Sequence, residues 1–323
     1  MEEMKEKLIK VGVLGIGGCG GNILSDIFND LKDLGLNIDF SILNTDVQAL
    51  HASMQEKGFP KEFIHQIGER STGGLGAGSN PEVGRSAAQE DIELIRNLIA
   101  DKDLILTITG LGGGTGSGAI PIILNETKDK GILTLCWFVM PGDFEAYKRN
   151  QIAKHALKEI DSLADSYIVI SNDATESIIF KDSMEEINKT ISLSIQIVLE
   201  VLMRSALINL DFADFTTILK NGGRGLFAFG SYDGENRGEK VVKDLTKMAL
   251  QPNANMKKIQ KAIVFVRGGA DMRKDELKGI ASSVQKKLSE DALVILGVAL
   301  REGKQALEAV FLGTMGSKDV QDS

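Results

Sequence analysis

Residues 111–118 read Leu-Gly-Gly-Gly-Thr-Gly-Ser-Gly, directly after an apolar run over 104–109 and before a second apolar stretch over 119–124. That order is strand, glycine loop, helix start. Five glycines in seven positions (Gly112, Gly113, Gly114, Gly116 and Gly118) remove nearly every Cβ, so main-chain N–H groups can approach an anion closely, and Thr115 and Ser117 add hydroxyl donors at the helix N-terminus. A plain strand-to-helix turn needs one or two glycines, and each surplus glycine costs about 1 kcal/mol against alanine. The loop reads as a phosphate cradle.

Two more glycine clusters accompany it. Gly15-Ile16-Gly17-Gly18-Cys19-Gly20 follows a predicted strand, and Thr72-Gly73-Gly74-Leu75-Gly76-Ala77-Gly78 precedes a predicted helix. Three such loops around one site suit a polyphosphate. The first cluster satisfies the dinucleotide-binding pattern G-x-G-x-x-G. The ribose-binding acid expected at the end of the second strand is, however, replaced by Asn44 with Asp46 two residues on, and a dinucleotide fold has no use for two further glycine loops. No G-x-x-x-x-G-K-[ST] occurs anywhere, which removes the P-loop class. Phosphates must be held by backbone dipoles and hydroxyls.

The elements that position these loops alternate strand, glycine turn and amphipathic helix, the pattern of a doubly wound, mainly parallel α/β sheet. Strands are predicted over 10–14, 40–43, 104–109, 133–139 and 167–170, with helices from about 22 to 34 and from Pro81 to about 100. Polar or glycine loops begin at Gly15, Asn44, Gly110, Pro141 and Ser171, at the carboxyl edge where such sheets bind ligands. A long helix over 185–206, apolar at Ile187, Ile191, Ile195, Val198, Leu199 and Leu202, reads as a buried strut. Beyond it come helix 211–220, strand 225–230, helix 235–250, strand 262–266, helix 274–288 and strands 292–300 and 307–312, a smaller α+β domain. The expected division is 1–183 for the nucleotide-binding domain, 184–208 for the connecting helix, 209–315 for the second domain and 316–323 for a polar, disordered tail.

The 323 residues, 43% of them hydrophobic, suffice for a large core without staples. A net charge of −8 opposes general affinity for nucleic acid or anionic membranes. Cys19 and Cys136 are too few for a disulfide framework and lack metal-site spacing, and His51, His65 and His155 cluster with neither. With no signal peptide, lipidation signature or membrane-spanning stretch legible, the expectation is a soluble protein of the reducing cytoplasm that neither inserts in a membrane nor binds nucleic acid.

The loop 112–118 resembles the G-G-G-T-G-[ST]-G signature of the tubulin/FtsZ superfamily. The resemblance continues through Asn44-Thr45-Asp46 with Gln48-Ala49-Leu50, Gly74-Leu75-Gly76-Ala77-Gly78 with Asn80-Pro81-Glu82-Val83-Gly84, Ser171-Asn172-Asp173 and Asn209-Leu210-Asp211-Phe212-Ala213-Asp214, in FtsZ order and spacing over roughly 8–315. It implies a tubulin/FtsZ-like fold, GTP/GDP with Mg²⁺ as ligands, and a GTPase that polymerises head to tail, usually for cell division. Partners would be further copies of itself and, at the division site, another FtsZ or division proteins.

Carried over by position, Gly17, Gly18, Gly20 and Gly21 would line phosphates and sugar, and Asn22 would bond the guanine edge. Ala77, Gly78, Gly112, Gly113, Gly114, Thr115, Gly116, Ser117 and Gly118 would cradle the β and γ phosphates. Glu145 and Arg149 would flank the ribose, and Asn172 would contact base or ribose. An amide suits guanine because it both donates and accepts, although ordinary turn chemistry also explains Asn22 and Asn172. Asn209, Asp211 and Asp214 would act on the neighbouring subunit's nucleotide by orienting the attacking water. Asp211 as an N-cap and Asp214 as a first-turn acid is the alternative, compatible with catalysis. No residue suggests itself as a metal ligand.

Several positions depart from the family pattern. Counted back from Asn209, Met184 stands where an aromatic usually stacks on guanine, and Asn188 where an aspartate usually stands. Loss of that charge is expected to soften guanine recognition by about 1 kcal/mol, although an asparagine still pairs with guanine and tubulins use one in base recognition, and Met184 equally suits plain helix packing. Cys19 replaces a glycine, Ser117 a threonine, and Arg204-Ser205-Ala206 a proline-glycine break. The chain stops soon after the fold, without the linker and terminal peptide of familiar FtsZ proteins. An accessory filament or a regulator of another FtsZ is the alternative reading.

Overall fold

The computed structural model describes residues 9–34, 37–143, 145–174, 180–203, 207–208, 210–246, 251–301, 303 and 306–316. Asn209, the 204–206 departure and the tail 317–323 lie outside them.

The first half is built from β1 (Val11–Ile16), α1 (Gly17–Lys32), β2 (Ile38–Asn44), α2 (Val47–Gln55), β3 (Ile64–Gln66), α3 (Glu69–Thr72), α4 (Pro81–Glu90), α5 (Ile92–Ile99), β4 (Leu104–Gly110), α6 (Gly114–Asp129), β5 (Leu133–Met140), α7 (Tyr147–Ile160) and β6 (Ser166–Ser171). The long helix α8 (Phe180–Met203) leads to α9 (Phe212–Leu219), β7 (Gly223–Tyr232), α10 (Arg237–Leu245), β8 (Lys261–Gly268), α11 (Lys274–Gln285), β9 (Leu293–Leu300) and β10 (Leu307–Thr314).

The strands form one sheet in the order β3-β2-β1-β4-β5-β6-β7-β10-β8-β9. The first six are parallel, and β7 joins β6 in parallel through Ser166↔Gly223, Tyr167↔Arg224 and Ile168↔Gly225. β10 is antiparallel to both of its neighbours. The expected second domain is thus a continuation of the same sheet.

Alternation along β1 shows the double winding. Val11 and Val13 pack with α1 and α8 on one face, whereas Leu14 and Ile16 pack with α6 on the other. Helix α1 turns Ile23, Leu24, Ile27, Phe28 and Leu31 inward, the spacing of one apolar stripe. Helix α8 buries Ile187, Ile191, Ile195 and Leu199 in a cluster that also takes in Phe227, Ile263, Phe265 and Val310, so the strut spans both halves as predicted. Its C-terminal half is also tied by Glu200, which pairs with Arg267 and Arg301, while Arg267 also reaches Glu308.

Four helix boundaries differ most from the sequence expectation. Helices α1 and α6 begin inside their glycine runs, at Gly17 and Gly114, so the cradles are helix first turns more than loops. The predicted 81–100 helix breaks at Asp91, whose carboxylate accepts the Gly68 N–H at 2.6 Å. Helix α8 starts five residues early, at Phe180 rather than 185.

Candidate functional site

Strand order reverses between β1 and β4, since chain-successive strands run outward to β2 on one side and to β5 on the other. A crevice must open at their carboxyl ends, because the helices that follow them leave to opposite faces. A cleft of about 560 Å³ lies there, walled by the starts of α1 and α6, the 139–149 segment, Asn172 and the first turns of α8.

Two helix N-termini end on this cleft, and neither has a side-chain cap: Ile16 before α1 and Gly113 before α6 offer none, and neither first turn contains an acid. Each helix start carries N–H groups without intrahelical partners and the positive end of the macrodipole. At Gly18 and Gly113 a Cβ would meet no protein atom within 4 Å, so their missing side chains leave room in the cleft. At Gly17, φ +70°, a Cβ would stand 3.0 Å from the Gly116 backbone nitrogen, and Thr115 Oγ1 lies 2.6 Å from Thr45 Oγ1. Gly112, at φ +93°, turns the chain into α6 while its N–H donates to Ser117 Oγ at 2.9 Å. An anion of phosphate size is what such an end can hold.

At the other end, Glu145 pairs with Arg149 at 2.6 Å and accepts from Gly142 N and from Asn172 Nδ2 at 3.4 Å. Asn172 Oδ1 is buried and has no donor among the described residues, an acceptor left for a ligand. Cys19 is exposed on the cleft wall. Asn22 on α1 lines the cleft together with Met184 and Asn188 on α8. Two residues that sequence reasoning missed complete this wall. Asp26 Oδ2 accepts from Asn188 Nδ2 at 2.8 Å, and Lys57 Nζ sits 2.7 Å from Asp26 Oδ1 while donating to the Asn22 carbonyl at 3.1 Å. Asp26, one helical turn beyond Asn22, was findable by its i+4 spacing; Lys57 arrives from beyond α2 and carries no local signal.

Of the sequence-predicted site, Gly17, Gly18, Asn22, Gly113, Gly114, Thr115, Gly116, Glu145, Arg149, Asn172, Met184 and Asn188 line the cleft. Gly20, Gly21, Ala77, Gly78, Gly112, Ser117 and Gly118 do not. A Cβ on Gly20 would stand 2.1 Å from the Ile108 carbonyl oxygen, and one on Gly21 3.0 Å from Ile42, so these two glycines let α1 lie on the sheet. Gly118 packs its backbone on Pro81 and Gly84 of α4. Ala77 props the cradle from behind, at Gly114.

Asp211 and Asp214 form a capping box on α9, with Asp214 N donating to Asp211 Oδ1 at 2.8 Å and Asp211 N to Asp214 Oδ2 at 3.1 Å. Neither lines the cleft. Helix α9 ends against the start of β6, where Ser166 Oγ donates to the Leu219 carbonyl, at the sheet edge opposite the cleft. Among the described residues no group of three or more His, Cys, Asp or Glu side chains could hold a metal, and no helix is long and apolar enough to cross a membrane. A larger depression of about 980 Å³ lies between α10 and α11, where Arg237 is held by Asp271 and Glu276.

Residues 10–180 match the Tubulin/FtsZ family GTPase domain, and residues 223–311 the FtsZ family C-terminal domain. The chain is 33% identical over 295 residues to the cell division protein FtsZ of Wigglesworthia glossinidia brevipalpis, covering 90% of this chain and 74% of that protein. It is 32% identical to that of Aquifex aeolicus, covering 92% and 80%. A solved FtsZ dimer from M. jannaschii superposes with a TM-score of 0.83 at 28% identity, covering 97% of this chain and 90% of that one. A GTPγS-bound CetZ2 protofilament from Haloferax volcanii, at 20% identity and TM-score 0.80 over 94% of this chain and 92% of that one, shares the fold. With both domain types matched in order and the cleft formed where the parallel sheet reverses, the chain belongs to the Tubulin/FtsZ family.

Proposed function

We propose that this protein binds GTP in the β1/β4 cleft, assembles head to tail into filaments, and hydrolyses the nucleotide at the junction between subunits, acting in the cytoplasm at the division site. The observation that carries the proposal is the pair of uncapped, acid-free helix N-termini facing one glycine-lined cleft whose far wall bears three amides, Asn22, Asn172 and Asn188. Gly17, Gly18 and Gly113 to Gly116 would take the phosphates, Glu145 and Arg149 the ribose, and Met184 with the amides the base. The orphaned Asn172 Oδ1 fits a ligand that donates hydrogen bonds. Mg²⁺ neutralises phosphate charge when bound; lacking a carboxylate cluster among the described residues, it would draw its ligands chiefly from the nucleotide and water.

Hydrolysis needs a water oriented in line with the γ phosphate, and phosphoryl transfer rests mainly on positioning and electrostatics. No carboxylate lining the cleft belongs to its phosphate end: Glu145 is tied to Arg149 and Asp26 to Lys57. Asp211, Asp214 and Asn209 would come from the next subunit, and the capping box presents the two carboxylates on a rigid helix start. Exposed apolar residues support end-to-end contact: Leu75 is 85% exposed in the glycine segment before α4, and Leu207 is 65% exposed just before the acidic loop. The M. jannaschii FtsZ that this chain resembles was solved as a dimer, which accords with this.

The test is phosphate release from GTP with Mg²⁺ across protein concentrations, with sedimentation of the same samples. A specific rate appearing above a threshold concentration together with pelleted polymer is expected. Asp214→Ala should leave GTP binding nearly intact while lowering turnover about 100-fold, a positioning-sized loss. A slow rate independent of concentration, with nothing pelleted, would favour a regulator of another filament and reduce Asp211 and Asp214 to helix caps.

A further inference from the structure

Asn188 stands where the family pattern has an aspartate, and beyond the lost charge a neutral amide reads guanine ambiguously when it is free to turn over. A carboxamide has one donating arm and one accepting arm, and a free one rotates to suit adenine as readily as guanine. Here it is not free. Asn188 Nδ2 donates to Asp26 Oδ2 at 2.8 Å, and a carboxylate can only accept, so the reversed orientation would set two oxygens against each other. Asp26 is itself fixed, since its other oxygen lies 2.7 Å from Lys57 Nζ, and Lys57 also donates to the Asn22 carbonyl. A second tie between the same helices, Ser192 Oγ to Asp30 Oδ2 at 3.2 Å, holds α8 in register with α1. Asn188 Oδ1 accepts from no donor among the described residues, and the side chain lines the cleft.

We propose that Asp26 is a positioning residue that locks the Asn188 amide with its carbonyl oxygen toward the bound base, restoring the guanine preference that loss of the aspartate at 188 would soften. The inference rests on the reading of the cleft as a nucleotide site. Guanine presents N1–H and the N2 amino group as adjacent donors, which a fixed carbonyl oxygen accepts. Adenine presents the N1 lone pair at the equivalent place, where the same oxygen repels it. Discrimination thus comes from a carboxylate that touches no base: the charge has moved from α8 to α1 and acts through the amide between them.

The experiment measures the affinities of GTP and ATP for the wild-type chain, Asp26→Ala, Asp26→Asn and the double variant Asp26→Ala/Asn188→Asp. The wild type should prefer GTP, and either single substitution should narrow the GTP/ATP ratio by about tenfold, the worth of one such hydrogen bond. The double variant should recover the ratio, because a carboxylate at 188 accepts whichever way it turns. Equal weakening of both nucleotides, or an unchanged ratio in both single variants, would show that Asp26 only ties α1 to α8 and would overturn the proposal. A wild type that binds both nucleotides equally overturns it while leaving the cleft a nucleotide site; one that binds neither overturns the cleft reading as well. Asp26→Asn keeps the shape of the helix pair, so a folding failure of the alanine variant does not remove the readout.

Discussion

Replacing Gly20 by alanine would put a Cβ 2.1 Å from the Ile108 carbonyl oxygen, backbone that cannot turn aside, whereas a Cβ on Gly18 meets nothing. The two neighbours should therefore fail differently. Gly20→Ala is expected to destabilise the fold by about 3 kcal/mol through overpacking, read as a lowered urea midpoint. Gly18→Ala should leave that midpoint unchanged and weaken nucleotide binding instead. Sequence alone does not separate them, since both belong to one glycine run; what distinguishes them is which face of α1 each occupies. The amides and the Glu145–Arg149 pair were legible because their spacing matched a family motif. The i+4 spacing brings Asp26 to the wall beside Asn22, but its bond to Asn188, a partner 162 residues away in the chain, carries no local signal.

At the scale of elements, sequence periodicity found nearly every strand of the sheet, because parallel strands buried on both faces are continuous apolar runs. It missed α2, the four-residue α3, α7, a lysine-bearing helix that buries only Ala153, Ala156 and Ile160, and β3, which is three residues long. The α10–α11 contact shows how charge can join elements. Arg237, 7% exposed, takes a bidentate grip on Glu276, and this pairing holds the Glu276 carboxyl below its ordinary range. The native state therefore stays unprotonated where the unfolded chain takes up a proton, so the stabilisation is complete above the unfolded carboxylate value, about 4.3, and is lost as pH falls through the lower folded value. Glu276→Gln should cost about 3 kcal/mol at pH 7, and the gap to wild type should close on acidification, as followed by denaturant titration at several pH values. A gap that stays constant with pH would assign the loss to packing.

For the whole molecule, neither acid of the capping box lines the cleft, so on the proposed reading it is stacked copies that bring the two together. On that reading the exposed leucines, Leu75 and Leu207, are the proposed points of contact. Leu75→Asp is expected to raise the concentration at which polymer pellets by about tenfold, the worth of one interface residue, while leaving nucleotide affinity unchanged. Pelleting at the wild-type threshold would place the contact elsewhere.

The uncapped starts of α1 and α6 also bear on how the chain survives before it assembles. Hydrogen-bond donors that no side chain satisfies fray readily, and a ligand that satisfies them stabilises only the native state. At a concentration one hundred times its dissociation constant, nucleotide adds about 2.7 kcal/mol by mass action. Amide hydrogens of residues 17–20 and 114–117 should exchange rapidly in nucleotide-free protein and slowly with GDP present, as hydrogen-exchange mass spectrometry would register. On the proposed reading the nucleotide would be a folding ligand as well as a substrate, and its supply would govern how much protein persists to assemble.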